Sequence, residues 1–120
     1  MNAFEKIFAE GIYIIAVNIS RSTIKESYEF RKVIEEEINS GHTNLVIDLS
    51  KCDYIDSTFF GGIIWAFSKL SDIGKKLKIV KYDNPKEDIF TTTKTFEIFD
   101  LYGTREEAIK SFEGDIQTES

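Results

Sequence analysis

The sequence predicts one α/β domain, a mixed and mostly parallel β-sheet packed with helices, and three observations carry that prediction. Apolar runs of strand character alternate along the chain with segments whose apolar residues recur at helical spacing. Gly11, Gly41 and Gly74 fall where successive runs should stop. The chain has 120 residues, 42% of them hydrophobic and with ten Phe, five Tyr and one Trp among them, which is enough for one core and little else. One domain over residues 1–120 is therefore expected.

The elements follow in order. Ile12 to Ile19, a β-rich run after Gly11, reads as a strand, with Phe4, Ile7 and Phe8 before the glycine supplying its partner in a hairpin. Then the period changes. Ile24, Tyr28, Phe30, Val33, Ile34 and Ile38 mark a helix opened by a Thr23 and Glu26 capping box and stopped by Gly41. Asn44-Leu45-Val46-Ile47-Asp48-Leu49-Ser50 carries consecutive apolar residues between polar ones, as a strand covered on both faces does.

A second helix follows the turn at Lys51 to Tyr54, with Phe60, Ile63, Ile64, Phe67 and Leu70 as its apolar face and Gly74 as its stop. Leu77-Lys78-Ile79-Val80 is the next strand, and strand, helix and strand in this length make a right-handed crossover between parallel neighbours. A short helix after Pro85 should end at the Thr91-Thr92-Thr93 run, before a short strand at Phe96-Glu97-Ile98-Phe99. Thr104 and Glu107 form another capping box, opening a helix that docks Ala108, Ile109 and Phe112 on the sheet. The polar tail from residue 114 to 120 is expected to fray. The predicted order is β-β-α-β-α-β-α-β-α.

Composition excludes several classes of function. Fifteen Lys and Arg against 21 Asp and Glu give a formal charge of -6, which repels phosphate backbones, and the closest basic group, Lys75, Lys76, Lys78 and Lys81, reads as the rim of a strand. Nucleic acid is thus not the expected partner. A single Cys52 and no leader pattern after Met1 fit a reducing cytoplasm. Apolar runs such as Ile12 to Val17 and Gly61 to Phe67 fall well short of the roughly 20 residues that span a bilayer, so direct membrane insertion is not expected. His42, the one histidine, reads as a turn residue and makes no ligand spacing with Cys52, and no Gly-x-Gly-x-x-Gly or Walker loop follows a strand. No metal, no cofactor and no nucleophile-base pair is indicated, so an enzyme is not expected.

What remains is the junction Ile47 to Gly61. Its carboxylates, Asp53 and Asp56, read as turn and cap residues, and hydroxyls at a helix start such as Ser57 and Thr58 ordinarily tie off free backbone N–H groups. Asp56-Ser57-Thr58-Phe59-Phe60-Gly61, preceded by Leu45-Val46-Ile47-Asp48-Leu49, resembles the mark of the STAS family, an apolar strand, a short loop and Asp-Ser-Ser/Thr-Gly-Leu-Gly at a helix start. The likeness extends from about Gly11 through Phe96-Glu97-Ile98-Phe99-Asp100 to Glu106-Glu107-Ala108.

The resemblance is to the anti-sigma factor antagonists of that family, and it implies a partner-switching regulator. Its partner would be an anti-sigma factor that is also a serine kinase of the histidine-kinase-like ATPase class. Phosphorylation of the serine after the motif aspartate, here Ser57, would release the complex, and a PP2C-type phosphatase would restore it. Thr58 would then be a capping or packing residue. The second reading is a STAS module that binds protein in a sensory or transport-associated complex without such a switch.

Three positions depart from the family pattern. Phe59 replaces the first motif glycine; lying one position before the apolar stripe, it is expected to be partly buried and to form an apolar collar beside Ser57. Ser20 stands about where the family has Asp or Asn after the second strand. Trp65, on the same face as Gly61, is a candidate anchor for the partner. The expected partner-binding set is Asp56, Ser57, Thr58, Phe59, Gly61, Trp65 and Ser20.

Overall fold

The first two strands join through Glu10 and Gly11, whose φ angles of 53° and 80° are the left-handed pair that tight two-residue hairpin turns need. In a computed structural model of the chain, which describes residues 3–19, 21–22, 24–41, 44–52, 54–80 and 100–119, β1 (Phe4–Ala9) pairs antiparallel with β2 (Ile12–Val17) in the register Ala9 to Ile12. A two-residue strand, β3 (Arg21–Ser22), precedes α1 (Ile24–Asn39), and β4 (Leu45–Asp48) returns parallel to β2. Then come β5 (Tyr54–Ile55), α2 (Ser57–Asp72), β6 (Leu77–Val80), β7 (Asp100–Tyr102) and α3 (Arg105–Glu119).

The main sheet has the order β1-β2-β4-β6-β7, parallel throughout except at β1, and β3 with β5 makes a separate parallel pair. Every residue of β4 and β6 is buried, as expected of parallel strands covered on both faces. Alternation then divides the apolar interior in two. Leu45, Ile47, Leu77 and Ile79 face α1 and α2 in a large core, whereas Val46 and Val80 join Ile12, Ile14, Ala108 and Phe112 in a smaller one under α3.

Most predicted elements are present, and several details differ. The strand Leu77–Val80 does not present Lys78 at a rim: its side chain is buried on the α3 face, where Nζ donates to Ser111 Oγ at 2.8 Å and lies 4.5 Å from the centre of the Phe112 ring. Tyr28, expected on the packed face of α1, is 73% exposed, and Ile64, expected on that of α2, is 41% exposed. The last described strand begins at Asp100, and α3 runs on to Glu119 through the stretch expected to fray. Its capping box forms as predicted, with Glu107 N–H donating to Thr104 Oγ1 at 3.2 Å and Glu107 Oε2 accepting from Gly103 N–H at 3.2 Å. Ser20, the Thr23 cap, His42, Asp53, Lys81, the helix expected after Pro85 and the strand expected at 96–99 lie outside the described residues.

Candidate functional site

Asp56 sets the geometry of the predicted site. Its φ and ψ of -84° and 172° are those of an N-cap, and its Oδ1 accepts the Phe59 N–H at 2.8 Å while its carbonyl accepts from Phe60 N–H at 3.0 Å. The cap role read for Asp56 is confirmed, and Ser57 and Thr58 are relieved of it: both lie inside the first turn of α2 and both are exposed. Thr58 is therefore neither the capping nor a packing residue. A hydroxyl on the first residue of a 16-residue helix stands at the positive end of the helix dipole, among N–H groups that no helical carbonyl can satisfy.

Two loops meet at this helix start. Arg21 and Ser22 pair with Tyr54 and Ile55, a clip that ties the segment after β2 to the residues just before Asp56. Cys52, buried below, directs its Sγ to the Val17 carbonyl at 3.8 Å, a second tie between the same two segments. Neither was foreseen, since a two-residue strand has no period to detect.

Phe59 overturns its prediction. The ring is fully buried, not a collar beside Ser57: it stacks on Phe4 with centroids 6.4 Å apart and meets Phe30 at 4.8 Å. Helical spacing gives the direction: Phe59 shares the buried arc of Ile63, Ala66 and Leu70, at intervals of four, three and four residues, and that arc faces the core. Phe59 thus departs from the partner-facing set that the motif suggested.

Along the outer face of α2, Ser57, Gly61, Ile64 and Ser68 recur at three- and four-residue intervals, with Trp65 at their side. A Cβ built on Gly61 would meet nothing within 4 Å, so the bare spot there is open to the outside. Gly62, by contrast, faces inward: its Cβ would lie 3.4 Å from the Phe30 ring, which marks the close approach of α1. Trp65 is half-buried against the large core, with the Arg31 guanidinium 5.5 Å above its ring. The structure brings Asp56, Ser57, Thr58, Gly61 and Trp65 onto one end and side of α2 and removes Phe59 from it.

On the opposite face, Asp48 ends β4 buried and ion-paired with Arg105 of α3. Burial pushes its carboxyl up, but hydrogen bonds from Ser50 and Arg105 outweigh that and hold it below the ordinary aspartate range. The pair lines an open cleft of about 410 Å³ between Ser50, Lys51 and Thr104. Alternation in a strand buried on both sides could have signalled that Asp48 needs a cation, though not which one. Among the described residues no group of three or more His, Cys, Asp and Glu side chains could hold a metal ion, and no helix is long and apolar enough to cross a membrane.

Comparison with known proteins agrees with this architecture. A protein of Thermotoga neapolitana assigned as an anti-sigma factor antagonist is 26% identical over 106 residues, covering 88% of this chain and 93% of its own. The crystal structure of an anti-sigma factor antagonist assigned in Thermotoga maritima superposes with a TM-score of 0.81 at 24% identity, over 90% of this chain and 92% of that one. The Bacillus cell-fate determinant SpoIIAA in its phosphorylated form gives 0.70 at 16% identity, over 92% and 99%, and it is also known unphosphorylated. The STAS domain family matches residues 4–108, from the first strand into the last helix. With that match across nearly every element of the sheet, the chain belongs to the STAS domain family, whose members are non-catalytic regulatory domains.

Proposed function

We propose that this chain is a phosphorylation-switched antagonist that docks the start of α2 on a partner protein and lets go when Ser57 takes a phosphate. The partner is a serine kinase of the histidine-kinase-like ATPase class that doubles as an anti-sigma factor, and a PP2C-type phosphatase resets the switch. One observation carries the reading: Asp56, not Ser57, caps the helix, so the Ser57 hydroxyl is exposed at the positive end of α2 with no capping duty to lose. A phosphate there gains from the helix dipole while placing about -1.5 to -2 charges beside Asp56. A partner surface fitted to a neutral hydroxyl then meets a charge it cannot pair. The existence of SpoIIAA in phosphorylated and unphosphorylated forms is in keeping with such a cycle.

The test is direct. The chain is incubated with ATP and, in turn, each purified kinase of that class from the source genome, and the products are mapped by mass spectrometry. Phosphate is expected on Ser57; modification confined to Thr58 or elsewhere would overturn the assignment. Ser57→Asp should keep the circular dichroism of the parent and bind the same kinase more weakly, with at least about a tenfold loss for 1.4 kcal/mol of mismatch.

Gly61 gives an independent check. Glycine inside a helix costs about 0.5–1 kcal/mol relative to alanine, and nothing within 4 Å obstructs a methyl group. Gly61→Ala is expected to raise the unfolding free energy by about that amount and, if the partner closes over the bare backbone, to weaken binding at the same time. A variant that is more stable and binds normally would show that the partner does not approach there.

A further inference from the structure

We propose that β1 is a dimerisation edge, on which the same strand of a second copy of this chain pairs antiparallel about a two-fold axis at Ile7 and joins the two sheets into one. The proposal goes beyond the docking role of α2 and does not depend on it.

The hairpin shows which backbone groups are available. A two-residue turn closes on a hydrogen-bonded pair, here Ala9 with Ile12, so alternate residues before it, Ile7 and Glu5, also bond to β2. The Ala3 carbonyl, which accepts from Asn18 N–H at 2.8 Å, continues that parity. Phe4, Lys6 and Phe8 therefore aim their N–H and C=O groups away from β2 and out of the sheet, because β1 is its outermost strand.

Such an edge is commonly guarded by a proline, a bulge or an outward lysine. β1 has no proline and runs in unbroken register with β2. Its lysine is drawn off the edge: Lys6 Nζ lies 2.8 Å from Oε1 of Glu37, a residue of α1 that is 2% exposed, so the ion pair holds the ammonium over the face of the sheet. Phe8 is 62% exposed, with its ring centre 4.7 Å from that of Tyr13. Of the large hydrophobic side chains left exposed among the described residues, it is the one carried by a strand.

Self-complementarity selects a second copy as the occupant. A two-fold axis at Glu5 or Lys6 would set that residue opposite itself, a pairing of like charges. An axis at Phe8 would run the ladder into Glu10 and Gly11, whose φ angles of 53° and 80° cannot continue a strand. With the axis at Ile7, Lys6 of each copy faces Phe8 of the other, the pair exchanges both of its backbone hydrogen bonds, and the lysine stem lies across the exposed ring. Ile7, partly buried beside the smaller core, meets its own copy on the α3 face. Glu5 then falls opposite Ala9, and Lys6 falls diagonally across from Glu10, so charges of opposite sign are brought together. Antiparallel pairing keeps the α1–α2 layers of both copies on one face and turns the two Ser57 ends in opposite directions, which leaves both free to dock.

The test is sedimentation velocity of the full chain over a concentration series up to about 1 mM. A reversible monomer–dimer equilibrium is expected. Phe8→Pro removes an N–H that β2 does not use, and Phe8→Lys places a charge on the edge, so both should keep the circular dichroism of the parent and weaken the dimer at least about tenfold. Should the proline variant not fold, the lysine variant decides. Register is read from added cysteines, the native Cys52 being buried. Ile7→Cys should form an intermolecular disulfide on mild oxidation, because opposed residues of a non-hydrogen-bonded pair have Cα atoms about 4.5 Å apart, within disulfide reach. Glu5→Cys, about 14 Å from its own copy in this register, should not. A parent that stays monomeric across the series, even if its edge takes up a strand of another protein, would overturn the proposal. So would a dimer that both Phe8 variants leave intact, or a disulfide that forms through Glu5→Cys and not through Ile7→Cys.

Discussion

Truncating Phe59 to alanine is expected to cost the free domain about 3–5 kcal/mol, the range for a fully buried phenylalanine that leaves a cavity. Its ring is the meeting point of three elements: it stacks on Phe4 of β1 at an interplanar angle of 6° and tilts against Phe30 of α1 at 38°, while its own backbone belongs to α2. Removing it therefore unlinks the edge strand and both helices of the large core at once, and the ring–ring attraction that disappears adds to the forfeited burial. A total stability of about 5–15 kcal/mol is usual for one domain, so the variant should sit close to its unfolding threshold. Denaturant titration with the slope held to that of the parent measures the loss. A loss below about 1 kcal/mol would mean that the ring is not packed as described and would return Phe59 to the surface set.

The second large effect concerns the Asp48–Arg105 pair. Arg105→Ala should destabilise by about 2 kcal/mol: leaving a buried carboxylate without its cation can cost about 3–5 kcal/mol, reduced here because the Arg105 side chain is 33% exposed and shares its charge with water. Asp48 retains the Ser50 N–H at 2.9 Å, which cushions the loss further. The acid limb of the stability curve should change as well. Because folding holds the Asp48 carboxyl below its ordinary value of 3.8, the unfolded chain takes up the proton first. The stabilisation is complete above that value and disappears as pH falls through the lower, folded one. Stability profiles carried from neutral pH into the acid range, past the lowered folded value, should accordingly converge for parent and Arg105→Ala as the carboxyl is protonated. Parallel profiles at all pH values would show that the pair does not hold the carboxylate.

The main sheet was legible because its strands announce themselves twice, by β-rich composition and by the helices between them. Leu45 to Asp48 and Leu77 to Val80 could be placed, with their right-handed crossover, from the residues alone. The packed side of α2 was less legible. Reading large apolar residues alone, Phe60, Ile63, Ile64, Phe67 and Leu70, centres the buried arc about 60° away from the one observed, at 100° per residue. The observed arc includes Gly62 and Ala66 and excludes Ile64. Small residues carry no hydrophobic signal of their own, yet they mark where a second helix comes closest, and the neighbour at Gly62 is what draws Phe59 inward. Lys78 was misread for the related reason that a strand covered on both faces has no rim, so a lysine within it must take partners from the helix above.

At the candidate site the order of legibility is reversed. Motif residues Asp56 and Ser57 could be named from sequence, and their division of labour followed once the cap was seen. Arg105 could not be paired with Asp48 in advance, since 57 positions separate them and only the close of α3 over the sheet brings them together.

The division of the interior by the sheet also bears on motion. Among the described residues, α3 rests on a smaller core of Ile12, Ile14, Val46, Val80, Ala108 and Phe112. Cooperative units of lowest stability open first, and sparse apolar burial is what defines them. Tied to the sheet by this smaller layer and by the Asp48–Arg105 and Lys78–Ser111 contacts, α3 is expected to open before the α1–α2 layer does, so that fluctuations on one side of the sheet need not disturb a complex held on the other.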